Sequence, residues 1–149
     1  MTTAPMARLS ILDRIGLGRP ELRAWAMYDW AVSSLQTTVL VAVFPIFFVR
    51  VAAAGLPESR ATHALATANT IAAIVVAILS PVLGAISDYA AAKKRMLAAS
   101  MLVGAAATAG MFFIRRGDLM LASTLFVVAL IGATASVVFY EALLPHLAR

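Results

Sequence analysis

The sequence predicts an all-α membrane protein of four transmembrane helices. Three observations carry that fold class. The 149 residues are 62% hydrophobic and only 13% charged, with a mean hydropathy of +0.93, whereas soluble domains carry about 25% charged residues. A soluble domain of this size could not hide so much apolar surface in one core. The charges also cluster between long uncharged runs, the pattern of lipid-facing helices joined by short polar loops. No stretch alternates apolar and polar residues with period two between turn signals, which argues against a membrane barrel.

Residues 1–24 read as a polar, basic leader. Leu9, Ile11, Leu12 and Ile15 alternate with Arg8, Asp13 and Arg14, which predicts a short amphipathic turn on the membrane surface. Gly16 and Gly18 end it, and Pro20 followed by Glu21 opens the next helix, with proline at its first position and an acid in its first turn. The first spanning helix is expected over 25–49. It is too long for the apolar stretch of a signal peptide, and so is the leader before it, although Ala52-Ala53-Ala54 resembles a cleavage site. Arg50–His63 reads as a loop with Gly55, Pro57 and a cap at Ser59. The second helix is expected over 64–87, a short loop over Asp88–Arg95, the third helix over 96–114, a turn at Arg115–Asp118 and the fourth helix over 119–144. Each apolar segment has roughly the 20 residues that cross about 30 Å of hydrocarbon. Residues 25–149 thus form one helical domain after the leader.

The formal net charge of +5 does not point to nucleic acid, because the cations sit at helix ends without the polar surface of a binding domain. Lys and Arg in membrane-protein loops set orientation instead. Arg8, Arg14, Arg19, Arg23, Lys93, Lys94, Arg95 and Arg149 would lie on one side, and Arg50, Arg60, Arg115 and Arg116 on the other. Eight against four places both termini in the cytoplasm. No phosphate loop, zinc-protease or nucleophile-elbow motif is present, so no enzyme chemistry, cofactor or metal is expected. With no cysteine, disulfides and thiolate metal sites are excluded. His63 and His146 fall on opposite sides of the membrane in this topology.

Ionisable groups inside a bilayer are costly and mark function by default. Asp29 lies just inside the start of the first helix and Glu141 near the end of the fourth. Asp29, Ser33, Gln36 and Thr37 are spaced to share one helical face. Ser123, Thr134 and Glu141 share a face of the fourth helix. Asn69, Ser80 and Ser87 share one of the second with Ala73, Val76 and Gly84. Three such stripes facing one another would line a water-filled path, though Ser and Thr also serve as ordinary helix-packing residues. Small residues four apart, at Ala106 and Gly110, Gly132 and Ser136, and Ala73 and Ala77, permit close helix contact. Pro45 and Pro81 fall inside helices, where proline favours kinks.

Gly84-Ala-Ile-Ser-Asp88-Tyr-Ala-Ala-Ala-Lys93-Lys94-Arg95 resembles the loop motif between helices two and three of the major facilitator superfamily. The resemblance implies that Gly84, Asp88, Lys93, Lys94 and Arg95 form a conformational latch. In that family the Asp faces a helix N-terminus of the other half of the transporter, where a carboxylate is electrostatically favoured. The motif departs from the family at Tyr89, Ala91 and Ala92. Arg23-Ala-Trp25-Ala-Met-Tyr28-Asp29-Trp30-Ala31, with Thr37-Thr38 and Val43-Phe44-Pro45, looks like the first helix of the autophagy-related permease branch, the vacuole effluxer-like group and its bacterial relatives. Phe139-Tyr140-Glu141-Ala142-Leu143-Leu144-Pro145-His146 looks like the end of its fourth helix. Here Val32 stands where Asn is usual, and Glu141 where Asn or Asp is frequent.

The resemblance implies a twelve-helix fold of two six-helix bundles, with a small solute bound between them at the midplane. The four helices would be part of the N-terminal bundle, and the remaining helices of the same transporter would be partners alongside the lipid bilayer. The expected function is secondary active transport by alternating access in the cytoplasmic membrane, with amino acids as the solute class and proton coupling through Asp29 or Glu141. The expected pathway residues are Asp29, Ser33, Gln36, Thr37, Asn69, Thr134 and Glu141. A chain of four helices is then expected to be an N-terminal fragment or truncated product unable to transport alone. The competing readings are a small four-helix exporter working as a dimer and a non-transporting membrane scaffold.

Overall fold

The computed structural model describes residues 18–87 and 90–143. Two compact units divide the chain, Met1–Ser33 and Ser34–Arg149. Helix α1 (Pro20–Ser34), which lies in the first unit up to Ser33, opens on Pro20 with Glu21 in its first turn, as proline geometry and the helix dipole favour. Val32 is buried, whereas Met27, Asp29 and Trp30 are exposed.

From Leu35 to Val43 the backbone widens into π-helical turns, followed by a single α-turn, α2 (Phe44–Phe47), and a second π segment, Phe48–Ala52. The Phe44 N–H reaches back five residues to Val39 O, and the Ala53 N–H reaches Phe48 O at 2.8 Å. Two local causes converge. Thr37-Thr38-Val39 and the valines that follow are β-branched and weak helix formers, and Pro45 has no N–H to give an α-helical ladder.

Helix α3 (Glu58–Ser87) contains Pro81. Thirty residues at about 1.5 Å each reach about 45 Å, longer than about 30 Å of hydrocarbon. Its polar first turn therefore extends past the apolar layer. It begins six residues before the expected start, because charge marks the membrane boundary and not the helix boundary. Pro57 O accepts from the Arg60 and Ala61 N–H groups, so Ser59 lies inside the first turn and does not cap it.

Helix α4 (Ala90–Gly110) runs into a short 3₁₀ turn, Met111–Phe113. Lys93, Lys94 and Arg95 are thus helical instead of lying in the expected loop. Alanines 90–92 are the strongest helix formers, and Lys and Arg follow closely. Helix α5 (Leu119–Glu141) is the hub of the second unit. It packs most extensively on α4, then on α3, and also on the widened segment before Ala53. Ala122, Phe126, Ala129, Ala133, Ser136 and Phe139 are buried along it. The core continues through Leu40, Phe44, Phe48, Ala61 and Ala68.

Among the described residues, four helices are long and apolar enough to cross a membrane: Pro20–Ala52, Glu58–Ile86, Lys93–Phe113 and Leu119–Glu141. Little of the apolar surface is covered by protein. Ile71, Ile74, Ile78 and Val82 are exposed along α3, as are Met101, Leu102 and Val103 along α4. A hydrophobic surface that continuous requires lipid or further helices. The chain is a multi-pass integral membrane protein.

Candidate functional site

At the Lys93 end of α4, one ionisable side chain is drawn inward. Lys93 is 8% exposed, and its Nζ donates to the carbonyl of Ala142, the residue after α5, at 3.2 Å. Several cations in the first turns of a helix oppose its dipole, and a cation at a helix C-terminus complements one. Lys93 escapes the first situation by entering the second. Lys94 and Arg95 remain exposed. The basic cluster is thereby divided into one buried cation that holds two helices together and two at the surface. Glu141 is exposed one residue before the accepting carbonyl. Among the residues of the expected latch, Gly84 is half-buried in α3, and Asp88 lies outside the described residues.

A groove of about 460 Å³ runs between α3 and α5, lined by Thr67, Ala68 and Ile71 on one wall and Ser123, Thr124 and Val127 on the other. Its hydroxyls are committed. Thr67 donates to His63 O at 2.8 Å, Ser123 to Leu119 O at 2.8 Å and Thr124 to Met120 O at 2.9 Å. Each hydroxyl satisfies its own helix, so the groove presents mostly methyl and methylene groups. Ser80 behaves likewise, donating to Val76 O at 2.7 Å.

The expected polar stripes fall in different places. Thr134 is half-buried and Glu141 exposed on α5, on the less covered side of that helix. Asn69 lies on an exposed face of α3 with Thr62, Ala66 and Ala73, one position around the helix from Ala68, and does not line the groove that contains Ser123. Ser87 carries no described side-chain environment. Gln36 is half-buried and Thr37 exposed in the widened segment. Within the first unit, Asp29 and Ser33 are exposed on α1. Among the described residues, no three His, Cys, Asp or Glu side chains gather as a metal site.

Sequence reasoning missed Gly104. A Cβ on Gly132 would lie 2.6 Å from the Gly104 N and 2.8 Å from its Cα, and 3.0 Å from Ser100 O. Here the backbones of α4 and α5 touch. The signal available was the Ser100-to-Gly104 spacing, which mirrors Gly132 to Ser136.

The family model described as vacuole effluxer Atg22 like matches residues 58–149, which covers α3, α4 and α5. The uncharacterized MFS-type transporter YxiO of Bacillus subtilis (strain 168) is 35% identical over 122 residues, 81% of this chain and 28% of the relative. The chain therefore spans little more than a quarter of the length of that relative. No solved structure matches. A match over more than half of the chain, carried on helices of membrane-crossing length, means that the chain belongs to the vacuole effluxer Atg22-like family of major-facilitator-type membrane proteins.

Proposed function

We propose that this chain acts as the N-terminal part of a secondary active transporter that carries a small solute across the cytoplasmic membrane by alternating access. The observation that carries this reading is the family match from the first turn of α3 to the residues beyond Glu141. Two carboxylates at the ends of membrane-length helices support it, since Asp29 and Glu141 are costly in lipid unless a pathway or partner uses them. Amino acids are the solute class by family analogy, with protons coupled through Asp29 or Glu141. Asp29, Ser33, Gln36, Thr37, Asn69, Thr134 and Glu141 contribute to the pathway. Gly84, Asp88, Lys93, Lys94 and Arg95 control the conformational change. The positive-inside rule supports cytoplasmic placement of the N-terminus and of the Lys93–Arg95 end.

The test is gradient-driven uptake of labelled amino acids by the complete protein reconstituted in sealed vesicles. Uptake that needs a proton gradient and collapses in Asp29→Asn is the expected result. Undiminished uptake in Asp29→Asn would remove that carboxylate from the mechanism. Absence of any amino-acid flux by the folded protein would remove the solute class.

A further inference from the structure

At the end of the second unit away from Lys93, the backbone places three arginines near one another. The N–H of Gly117 donates to Val51 O at 3.0 Å, pinning the turn between α4 and α5 to the last turn of the Phe48–Ala52 segment. Gly117 takes φ +91° there, a conformation that strains any residue with a side chain. The bond brings Arg50, one residue before Val51, close to Arg115 and Arg116, the two residues before Gly117. All three are exposed.

Among the described residues, no carboxylate forms an ion pair with them. The nearest acid in sequence, Asp118, spends Oδ2 on the Arg115 backbone N–H at 2.8 Å. Glu58, exposed in the first turn of α3, forms no ion pair with them among the described residues. Arg60 and His63, also exposed on α3, add no negative charge. One residue further back, before the buried Ile114, stand Phe112 and Phe113, 88% and 71% exposed, with rings edge to face at 5.7 Å. Unpaired guanidinium groups beside bare aromatic rings, at the end of three membrane-length helices, match the boundary between headgroups and acyl chains.

We propose that Arg50, Arg115 and Arg116 bind the phosphodiester of an anionic phospholipid headgroup, with Phe112 and Phe113 anchored in the acyl region beneath it. Guanidinium forks suit phosphate oxygens better than ammonium groups do, because they donate two parallel hydrogen bonds and are weakly hydrated. A lipid phosphate supplies the missing counter-charge, and its acyl chains cover the aromatic rings. Lipid binding at this end of the second unit does not depend on transport by the protein.

The experiment uses the complete protein in lipid nanodiscs of phosphatidylcholine mixed with phosphatidylglycerol. Lipid retained on extraction is quantified. The expected result is enrichment of phosphatidylglycerol that falls about tenfold or more when all three arginines are changed to Gln. The triple change to Lys should retain part of it. Unchanged enrichment in the Gln variant overturns the proposal. So does complete displacement of the enriched phosphatidylglycerol by millimolar inorganic phosphate, which would make this a free-anion site. If the triple Gln variant is not monodisperse, Arg115→Gln and Arg116→Gln, each confined to the exposed turn, give the same reading separately.

Discussion

The backbones of Gly104 and Gly132 meet where α4 crosses α5. A Cβ built on Gly132 would stand 2.6 Å from the Gly104 N, inside any real contact distance, and the atoms it meets are backbone. Neither helix can give locally, so Gly132→Ala must push α4 and α5 apart. We expect a loss of about 1–3 kcal/mol, typical of overpacking. Gly104→Ala, whose Cβ would meet Ala133 N at 3.2 Å, should cost less. Gly110→Ala meets only the Leu125 side-chain methyls, at 3.1 Å, and should cost least, because a leucine rotamer can adjust. Thermal unfolding of the three variants in one detergent gives the ranking, and a Gly110 variant worse than the Gly132 variant would refute it.

The second prediction concerns Phe44 and Phe126, whose rings stack at 4.8 Å and 5°. They tie the widened first span to α5 immediately before Pro45. Phe126→Ala should destabilise by about 3–5 kcal/mol, the cost of removing a buried aromatic ring. In a double-mutant cycle, the pair should show a coupling of roughly 0.5–1.5 kcal/mol. Additive single effects would mean that the stack contributes only buried area.

Much of this architecture is legible in the sequence, for identifiable reasons. Four apolar runs give four spans, since the length of a run and its lack of charge depend on lipid alone. The helix ends are less legible. Lys93-Lys94-Arg95 reads as loop, yet three alanines and three good helix formers propagate α4 through it. The small-residue pairs divide by burial. Gly132 and Ser136 are buried at a crossing, whereas Ala73, Ala77 and Ala106 are exposed, because spacing cannot say which face of a helix meets a neighbour. The hydroxyl stripes read as a polar path for a similar reason. Sequence shows that Ser80 and Ser123 share faces with other polar residues, but not that their hydroxyls are spent on Val76 and Leu119 carbonyls. The π-helical widening around Pro45 has no simple sequence code, although the β-branched run before it is a warning.

The third prediction separates the three cations of the motif. Lys93 is buried against the end of α5, and Lys94 and Arg95 are exposed. Lys93→Met keeps the apolar stem and removes the bond to Ala142 O, which should cost about 1 kcal/mol or somewhat more, as expected for a cation capping a helix C-terminus. Lys94→Gln should stay within about 0.5 kcal/mol, the range of ordinary surface changes. Equal losses in both variants, measured by thermal unfolding, would show that general charge and not the Lys93 contact holds α4 to α5.

The fourth prediction addresses the water path. These 149 residues contain no cysteine, so single cysteines introduced here in an otherwise cysteine-free complete protein report without background. Asn69 and Ile78 are both exposed in α3, and bare protein surface alone does not tell water from lipid. A polar amide left against hydrocarbon would be costly, whereas an isoleucine there is at rest. Asn69→Cys and Thr134→Cys should therefore react with a membrane-impermeant thiol reagent at rates well above Ile78→Cys, because thiolate forms only where water reaches. Protection of Asn69→Cys by a transported solute would place it on the pathway. If Asn69→Cys and Ile78→Cys are equally inert, the polar face of α3 is packed against protein or lipid, and the pathway must be sought along α1 and α5.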